Sequence, residues 1–315
     1  MSDIKDIIVI GAGASGMTAA LYALRNGKSV LVLEQETVGG QISNSPRVEN
    51  FPSIKEISGS DFSDKLFEQI TNLGADFELE KVEKVEKGDD GLFTVTTDYA
   101  QRKARAVILA VGVKHRHTGV AGEEELIGNG ISYCALCDGA FYKGEDIALI
   151  GDANTALQYA LLLSNGCKSV TVFTLFDRFF AENYLVKALN ARNNIKTYHD
   201  HMLTEFESEN GSLTGLKFMN KKDGSTVEFK TKGVFIAIGQ VPDNKKFENI
   251  VELDKQGYIL SDETCTTKTP GLFVAGDCRT KKIRQLTTAC SDGAVAATAA
   301  CTYIDTLWRF MVLKN

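Results

Sequence analysis

At 315 residues the chain is long for one hydrophobic core and suits two domains of ordinary size. Hydrophobic residues make up 43% and charged residues 24%, which fills such cores and argues against a disordered chain. A net charge of −6 speaks against a general binder of nucleic acid or anionic membranes, and no apolar run approaches the length of a membrane span.

In chain order, "DIIVI" is a short buried β-run and "GAGASG" a tight glycine turn. "MTAALYALRNGK" has helical spacing, and "SVLVLE" is a second strand. The apolar run in "MSDIKDIIVIGAG" is too short for a secretory leader and is led by acidic residues, so a cytoplasmic protein is expected. The stretch "DFELEKVEKVEKGDDGLFTVTTDYAQRKARAVILAVG" alternates like a β-meander and ends in the buried strand "AVILA". A second strand–turn–helix–strand unit follows: "DIALI", "GDAN", "TALQYALLLSNG", "KSVTVF". The stretch "LTGLKFMNKKDGSTVEFKTKGVFIAIG" repeats the meander-then-strand pattern, and "KTPGLFVAGDCR" with "RQLTTACSDGAVAATAACTYI" reads as strand, glycine turn and helix. Two such units predict an α/β fold of two Rossmann-like dinucleotide-binding domains, with ligand sites at the carboxyl ends of parallel strands.

The two glycine turns are unequal. Gly11, Gly13 and Gly16 follow a strand, open a helix, and are trailed by Glu34 at the tip of the next strand. Glycines there allow the turn, the close approach of a pyrophosphate and tight helix packing, while the acid accepts hydrogen bonds from ribose hydroxyls. The central copy keeps Gly151 but has Asp152 and Ala153 where glycines would help, and no acid ends its second strand. A methyl group and a negative charge at that loop both oppose a diphosphate.

Cysteine usage raises a separate question. Of seven cysteines only Cys134 and Cys137 are closely spaced, in "SYCALCDG". An odd count with one close pair fits cytosolic thiols rather than a disulfide framework. The pair itself can be half of a metal site, a redox couple or a chance spacing. A zinc site needs about four ligands, and Cys167, Cys265, Cys278, Cys290 and Cys301 form no second such pair. His199 and His201 are expected to sit solvated in a polar turn, so no metal is expected.

Taken together and in order, the first glycine loop, Glu34, "GGQ" (39–41), "VENFP" (48–52), "AVG" (110–112), "SYCALCDG", "GLFVAGD" (271–277) and "RQLTTACSDG" (284–293) are specific. The chain resembles the low-molecular-weight thioredoxin reductases over nearly its whole length. The resemblance implies the class II architecture of pyridine nucleotide-disulfide oxidoreductases. A discontinuous FAD domain (residues 1–117 and 245–315) is then split by a central domain (118–244) that carries the cysteines. It implies FAD held by Gly11, Gly13, Ala14, Ser15, Gly16, Glu34, Gln35, Ala110, Gly112 and Gly276. Gly39, Gly40, Gln41 and Asn50 line the flavin, Asp277 takes the ribityl chain or pyrophosphate, and Arg284, Gln285 and Leu286 lie by the isoalloxazine. Cys137 is then the thiol next to the flavin, Cys134 the outer thiol that attacks the disulfide of thioredoxin, and Asp138 a proton donor or helix N-terminal acid.

The chain also departs from that family. Members that use NADPH carry a His-Arg-Arg run and a further Arg where this chain has Thr174, Leu175, Phe176 and Phe180. The sequence is similar here to the branch that takes electrons from ferredoxin, with a reduced deazaflavin or another low-potential donor as alternatives. Arg279, Lys281, Lys282, Arg284, Lys114 and Arg116 are the expected basic docking surface for an acidic donor. The reading is a homodimeric FAD-dependent thioredoxin reductase. Its rivals are an NAD(P)H-dependent reductase with a degraded clamp, a flavoprotein redox sensor that never turns over, and a ferredoxin–NADP reductase, whose relatives lack the cysteine pair. Trp308 and Phe310 in the C-terminal stretch either pack on their own domain or dimer partner, or stack over the flavin.

Overall fold

A computed structural model describes residues 4–45, 48–133 and 135–312. The chain forms two compact units, Met1–Lys114 with Val241–Asn315, and His115–Gln240. The first begins with β1 (Lys5–Ile10), α1 (Ala14–Arg25), β2 (Val30–Glu34), α2 (Gly59–Asn72), β3 (Asp76–Leu79), β4 (Val82–Lys87), β5 (Phe93–Thr97), β6 (Gln101–Leu109) and the short β7 (Lys114–His115). Next come α3 (Glu123–Leu126), β8 (Ile131–Ser132), α4 (Ala135–Asp138), β9 (Asp146–Ile150), α5 (Asn154–Leu163), β10 (Ser169–Phe173), α6 (Asn183–Asn190) and β11 (Ile195–Tyr198). The second unit ends with β12 (His201–Glu209), β13 (Ser212–Asn220), β14 (Thr226–Lys230) and β15 (Val234–Ile236). Then β16 (Gln240–Val241), β17 (Leu272–Val274) and the long α7 (Leu286–Val312) complete the chain. The chain passes between the two units within β7 and β16.

In the first unit the sheet runs β3-β2-β1-β6-β5-β4. β1 is apolar on both faces because both are covered. Ile7 and Val9 join the core shared with α1 and α7, while Ile8 and Ile10 face the core of the meander. β6 serves two partners on one side: Ala104 pairs antiparallel with Phe93 of β5, and Val107 to Leu109 pair parallel with Leu272 to Val274 of β17. A Cβ added at Gly293 of α7 would lie 2.2 Å from the Ser15 carbonyl oxygen, so that glycine permits the close α1–α7 crossing.

The second unit has a parallel sheet, β11-β10-β9-β15-β8, and a three-stranded antiparallel sheet, β12-β13-β14. The rings of Phe173 and Phe218 stack at 3.7 Å to join the two sheets in one core. Among the described residues no helix is long and apolar enough to cross a membrane.

Candidate functional site

The cradle in the first unit is built around the β1–α1 turn. Gly11 has φ +106°, and a Cβ there would lie 2.4 Å from the Ala110 carbonyl oxygen. At Gly16 a Cβ would lie 1.9 Å from the carbonyl oxygen of Gly11. Both glycines are therefore required by packing. Gly13 is different: the nearest atom to an added Cβ is 3.9 Å away, so the protein leaves that space open. α1 begins at Gly13 with no side-chain cap and no acid in its first turn. Its first N–H groups thus present positive potential to an anion.

Glu34, buried at the end of β2, does more than its sequence position suggested. Its Oε2 accepts the Ala12 N–H at 2.7 Å, and Oε1 accepts the N–H groups of Gln35 and Glu36 at 2.8 and 2.9 Å. It ties the glycine loop to the neighbouring strand and still has acceptor capacity for a ribose hydroxyl, a carboxylate offering about four lone-pair sites. Gly39 takes φ +97°, bridges Gly13, and donates its N–H to the Ala12 carbonyl at 2.8 Å. Gly40 approaches the Gly13 Cα, so these residues form the opposite wall. Gln35 and Gln41 are exposed beside it. The Asn50 side-chain amide donates to Gln285 Oε1 at 3.0 Å, which brings two expected flavin neighbours together from segments far apart in sequence.

On the far side, Gly276 takes φ +82° and its Cβ position is filled by Ser15 Oγ at 2.5 Å. Asp277 Oδ1 is buried without a hydrogen-bond partner, and loss of solvent pushes that carboxyl above its ordinary range. Ala110 is buried, Gly112 has φ +63°, and Leu286 opens α7. An open space at Gly13, uncapped N–H groups, a half-satisfied acid at a strand tip and an orphaned buried oxygen fit a dinucleotide cofactor.

A residue that the sequence did not single out holds this side together. Asp292 on α7 accepts the Gly276 N–H at 3.0 Å and both Arg279 Nε and Lys281 Nζ at 2.8 Å on one oxygen. Its other oxygen accepts a second Arg279 nitrogen at 2.8 Å. Despite burial, these cations hold its carboxyl below the ordinary range. This corrects the expected docking surface. The side chains of Arg279 and Lys281 are buried because Asp292 needs counter-charge, Lys114 pairs with Asp243 at 2.7 Å, and the Arg284 guanidinium lies 3.9 Å over the Tyr258 ring. Lys282 and Arg116 remain exposed.

In the second unit, α4 carries Cys137 and Asp138, followed by a 3-10 turn at Gly139–Tyr142. Cys134 lies outside the described residues, as does the Cys137 side chain. The Asp138 carboxylate accepts the Ser132 hydroxyl at 2.6 Å, which fixes it at the end of β8. Tyr133, just before Cys134, donates its hydroxyl to buried Glu123 and contacts His117 Nδ1 at 3.0 Å.

The second glycine turn keeps its shape. A Cβ on Gly151 would lie 2.3 Å from the Ala237 carbonyl oxygen. The loop is closed by chain rather than open: the Phe180 N–H donates to the Asp152 carbonyl at 2.7 Å, and Ala153 bridges Phe180. Burial raises the Asp152 carboxyl above its ordinary range. Thr174 is buried, its hydroxyl between the Phe176 carbonyl (2.6 Å) and His199 Nδ1 (2.8 Å), while Leu175, Phe176 and Phe180 are exposed. The solvated turn expected for the histidines fails for His201, which is buried in β12 with its ring edge-on to Phe173 and Tyr198, whereas His199 lies half-buried in the connection between β11 and β12, its ring against Phe179. Among the described residues no His, Cys, Asp and Glu cluster could hold a metal. α7 continues as helix to Val312, and the side chains of Trp308 and Phe310 lie outside the described residues.

Two dinucleotide-type folds, one with a complete cradle and one whose sequence carries the Cys-x-x-Cys spacing, define a flavin-type disulfide oxidoreductase. The sequence pattern of the family described as "Pyridine nucleotide-disulphide oxidoreductase" matches residues 5–293, and the chain belongs to that family. Within it the chain belongs with the low-molecular-weight thioredoxin reductases. It is 37% identical over 304 residues to a thioredoxin reductase of Bacillus subtilis, covering 96% of each chain. The Lactococcus lactis thioredoxin reductase structure superposes with a TM-score of 0.93 at 32% identity, over 96% of this chain and 99% of that one. A ferredoxin-flavin thioredoxin reductase from Clostridium acetobutylicum is more distant, with a TM-score of 0.54 at 26% identity, over 97% and 99% of the two chains. Thioredoxin reductases of this family bind FAD, and the cradle described above fits it.

Proposed function

We propose that the chain is an FAD-dependent thioredoxin reductase, acting as a homodimer, whose electrons come from ferredoxin rather than NADPH. The observation that carries the donor reading is the edge of the second unit, where Thr174, Leu175, Phe176 and Phe180 leave no phosphate clamp and Asp152 stands at the turn. Charge-assisted hydrogen bonds contribute roughly 1.5–3 kcal/mol each. Losing two weakens a phosphorylated nicotinamide by about 3–6 kcal/mol, on the order of a hundredfold to ten-thousandfold in affinity.

Bound FAD supplies the adaptor between one-electron donors and a two-electron dithiol. The chain's own residues then act in order. The Cys134 thiolate attacks the thioredoxin disulfide, forming a mixed disulfide and releasing one thioredoxin thiolate, which takes a proton. The Cys137 thiolate next attacks the Cys134 sulfur, closing the Cys134–Cys137 disulfide and releasing the second thioredoxin thiol. Asp138, held by Ser132, is the proton donor on this face. Two electrons and two protons return the pair to the dithiol. The transfer runs downhill: thioredoxin lies near about −270 mV and plant-type ferredoxin near about −400 mV, a gap of ~130 mV, or about 6 kcal/mol for two electrons.

A panel of NADPH, NADH, reduced ferredoxin and a reduced deazaflavin, with thioredoxin reduction as readout, tests the proposal. NADPH turnover as fast as ferredoxin turnover would favour a reductase with a residual nucleotide site, a reading supported by the close superposition on the Lactococcus lactis enzyme. Failure of the chemically reduced protein to reduce any thioredoxin would favour the redox-sensor reading. Sedimentation velocity tests the homodimer.

A further inference from the structure

The edge that lacks a phosphate clamp has a construction of its own. Leu175, Phe176 and Phe180 are exposed to 41%, 45% and 51%. The rings of Phe176 and Phe180 meet edge-on at 5.3 Å. The Arg178 guanidinium lies 5.1 Å over the Phe180 ring, and the Lys221 ammonium 5.5 Å over the Phe176 ring. The loop beneath is fixed. The Phe176 carbonyl accepts the Thr174 hydroxyl at 2.6 Å and the Asp200 N–H at 3.1 Å, and the Phe180 N–H is held by Asp152 at 2.7 Å. Aromatic side chains held out of the core by a hydrogen-bonded loop, with arginine beside them, have the composition of an interface centre.

The charge pattern names the partner. Lys222 pairs with Asp200 at 2.8 Å and faces Asp177. Among the described residues no carboxylate forms an ion pair with Arg178 or Lys221, whose cations lie over the two rings, and Lys221 Nζ also donates to the Leu175 carbonyl at 3.3 Å. The face lies at the carboxyl ends of β10 and β11, where open α/β sheets take their ligands. A diphosphate is opposed there by the closed Gly151–Ala153 turn, whereas a protein surface needs no entry into it.

We infer that this face docks the electron donor: an acidic carrier protein whose carboxylates meet Arg178 and Lys221 and whose apolar surface covers Phe176 and Phe180. The inference rests on the donor reading above and assigns that reading its surface. Two double variants test it, Arg178→Glu with Lys221→Glu and Phe176→Ser with Phe180→Ser. Each is compared with wild type for the bimolecular rate of flavin reduction by a purified acidic ferredoxin across a salt series. All these side chains are solvent-exposed, and melting temperature and FAD content check folding. Thioredoxin reduction by dithionite-reduced protein is the control. Each variant is expected to lose at least about tenfold at low salt, the charge variant to lose its salt dependence, and the control to stay unchanged. Variants as fast as wild type with ferredoxin would overturn the docking face alone. A wild-type protein that ferredoxin does not reduce would overturn the donor reading and the face with it. Loss of the control rate would assign the face to thioredoxin instead and overturn the inference.

Discussion

Replacing Asp292 by alanine is expected to unfasten the side of the cofactor cradle formed by the Gly276 turn. The carboxylate receives a backbone N–H, two guanidinium nitrogens and an ammonium, and its two cationic partners have side chains only 3% and 6% exposed. Removing it leaves two desolvated cations without counter-charge. Breaking a buried pair in this way costs about 3–5 kcal/mol, roughly a hundredfold or more in the folded-to-unfolded ratio. Chemical denaturation followed by release of flavin fluorescence reads the loss, which should come with weaker FAD retention. The pH dependence has a defined sign. Because the folded carboxyl is held below its ordinary range, its contribution is fully present above the unfolded value of about 3.9 and is lost as pH falls further. The difference between wild type and variant should therefore be flat from neutral pH down to about pH 5 and shrink below it. An Asp292→Ala protein with unchanged denaturation midpoint and FAD retention would refute this reasoning.

Three further outcomes follow, two from the cradle geometry and one from the proposed dithiol chemistry. Gly13→Ala should leave the apoprotein's stability nearly unchanged and weaken FAD binding at least about tenfold, because the added methyl enters open space that a pyrophosphate would need; Gly16→Ala should destabilise the apoprotein itself, as its methyl would strike the Gly11 carbonyl. Asp277→Asn should raise apoprotein stability, by removing a charge that burial disfavours, while reducing FAD affinity in titration calorimetry. Cys134→Ser and Cys137→Ser should each abolish thioredoxin turnover, by about a thousandfold or more, while leaving donor-driven flavin reduction intact in stopped flow.

Where the chain announced itself, it did so through backbone geometry. Gly11 stands between a strand and a helix and Gly16 in that helix's first turn because no side chain fits at either place, and Glu34 stands at a strand tip; such local requirements can be read without the fold. The meander and both strand–turn–helix units were legible for the same reason. α2 was not read, although Ser58 and Asp61 offered a capping signal that the structure uses, with Ser58 Oγ accepting the Asp61 N–H at 3.0 Å. α6 was missed as a short helix among polar residues. Burial of charge was the part hidden from sequence. Lys281 and Arg279 looked like surface cations in "CRTKKIRQ", and only the return of α7 across the Gly276 turn brings Asp292 to them. The buried acid inside the small-residue run "ACSDGAVAA" was the available signal. His201 likewise belongs to an aromatic core assembled from separate strands.

The most direct measurement is anaerobic stopped-flow bleaching of the bound flavin, with NADPH and photoreduced ferredoxin mixed in turn against the same protein. The account predicts fast bleaching by micromolar ferredoxin and negligible bleaching by NADPH at the same concentration. Rapid, saturable bleaching by NADPH, with ferredoxin inert, would contradict it.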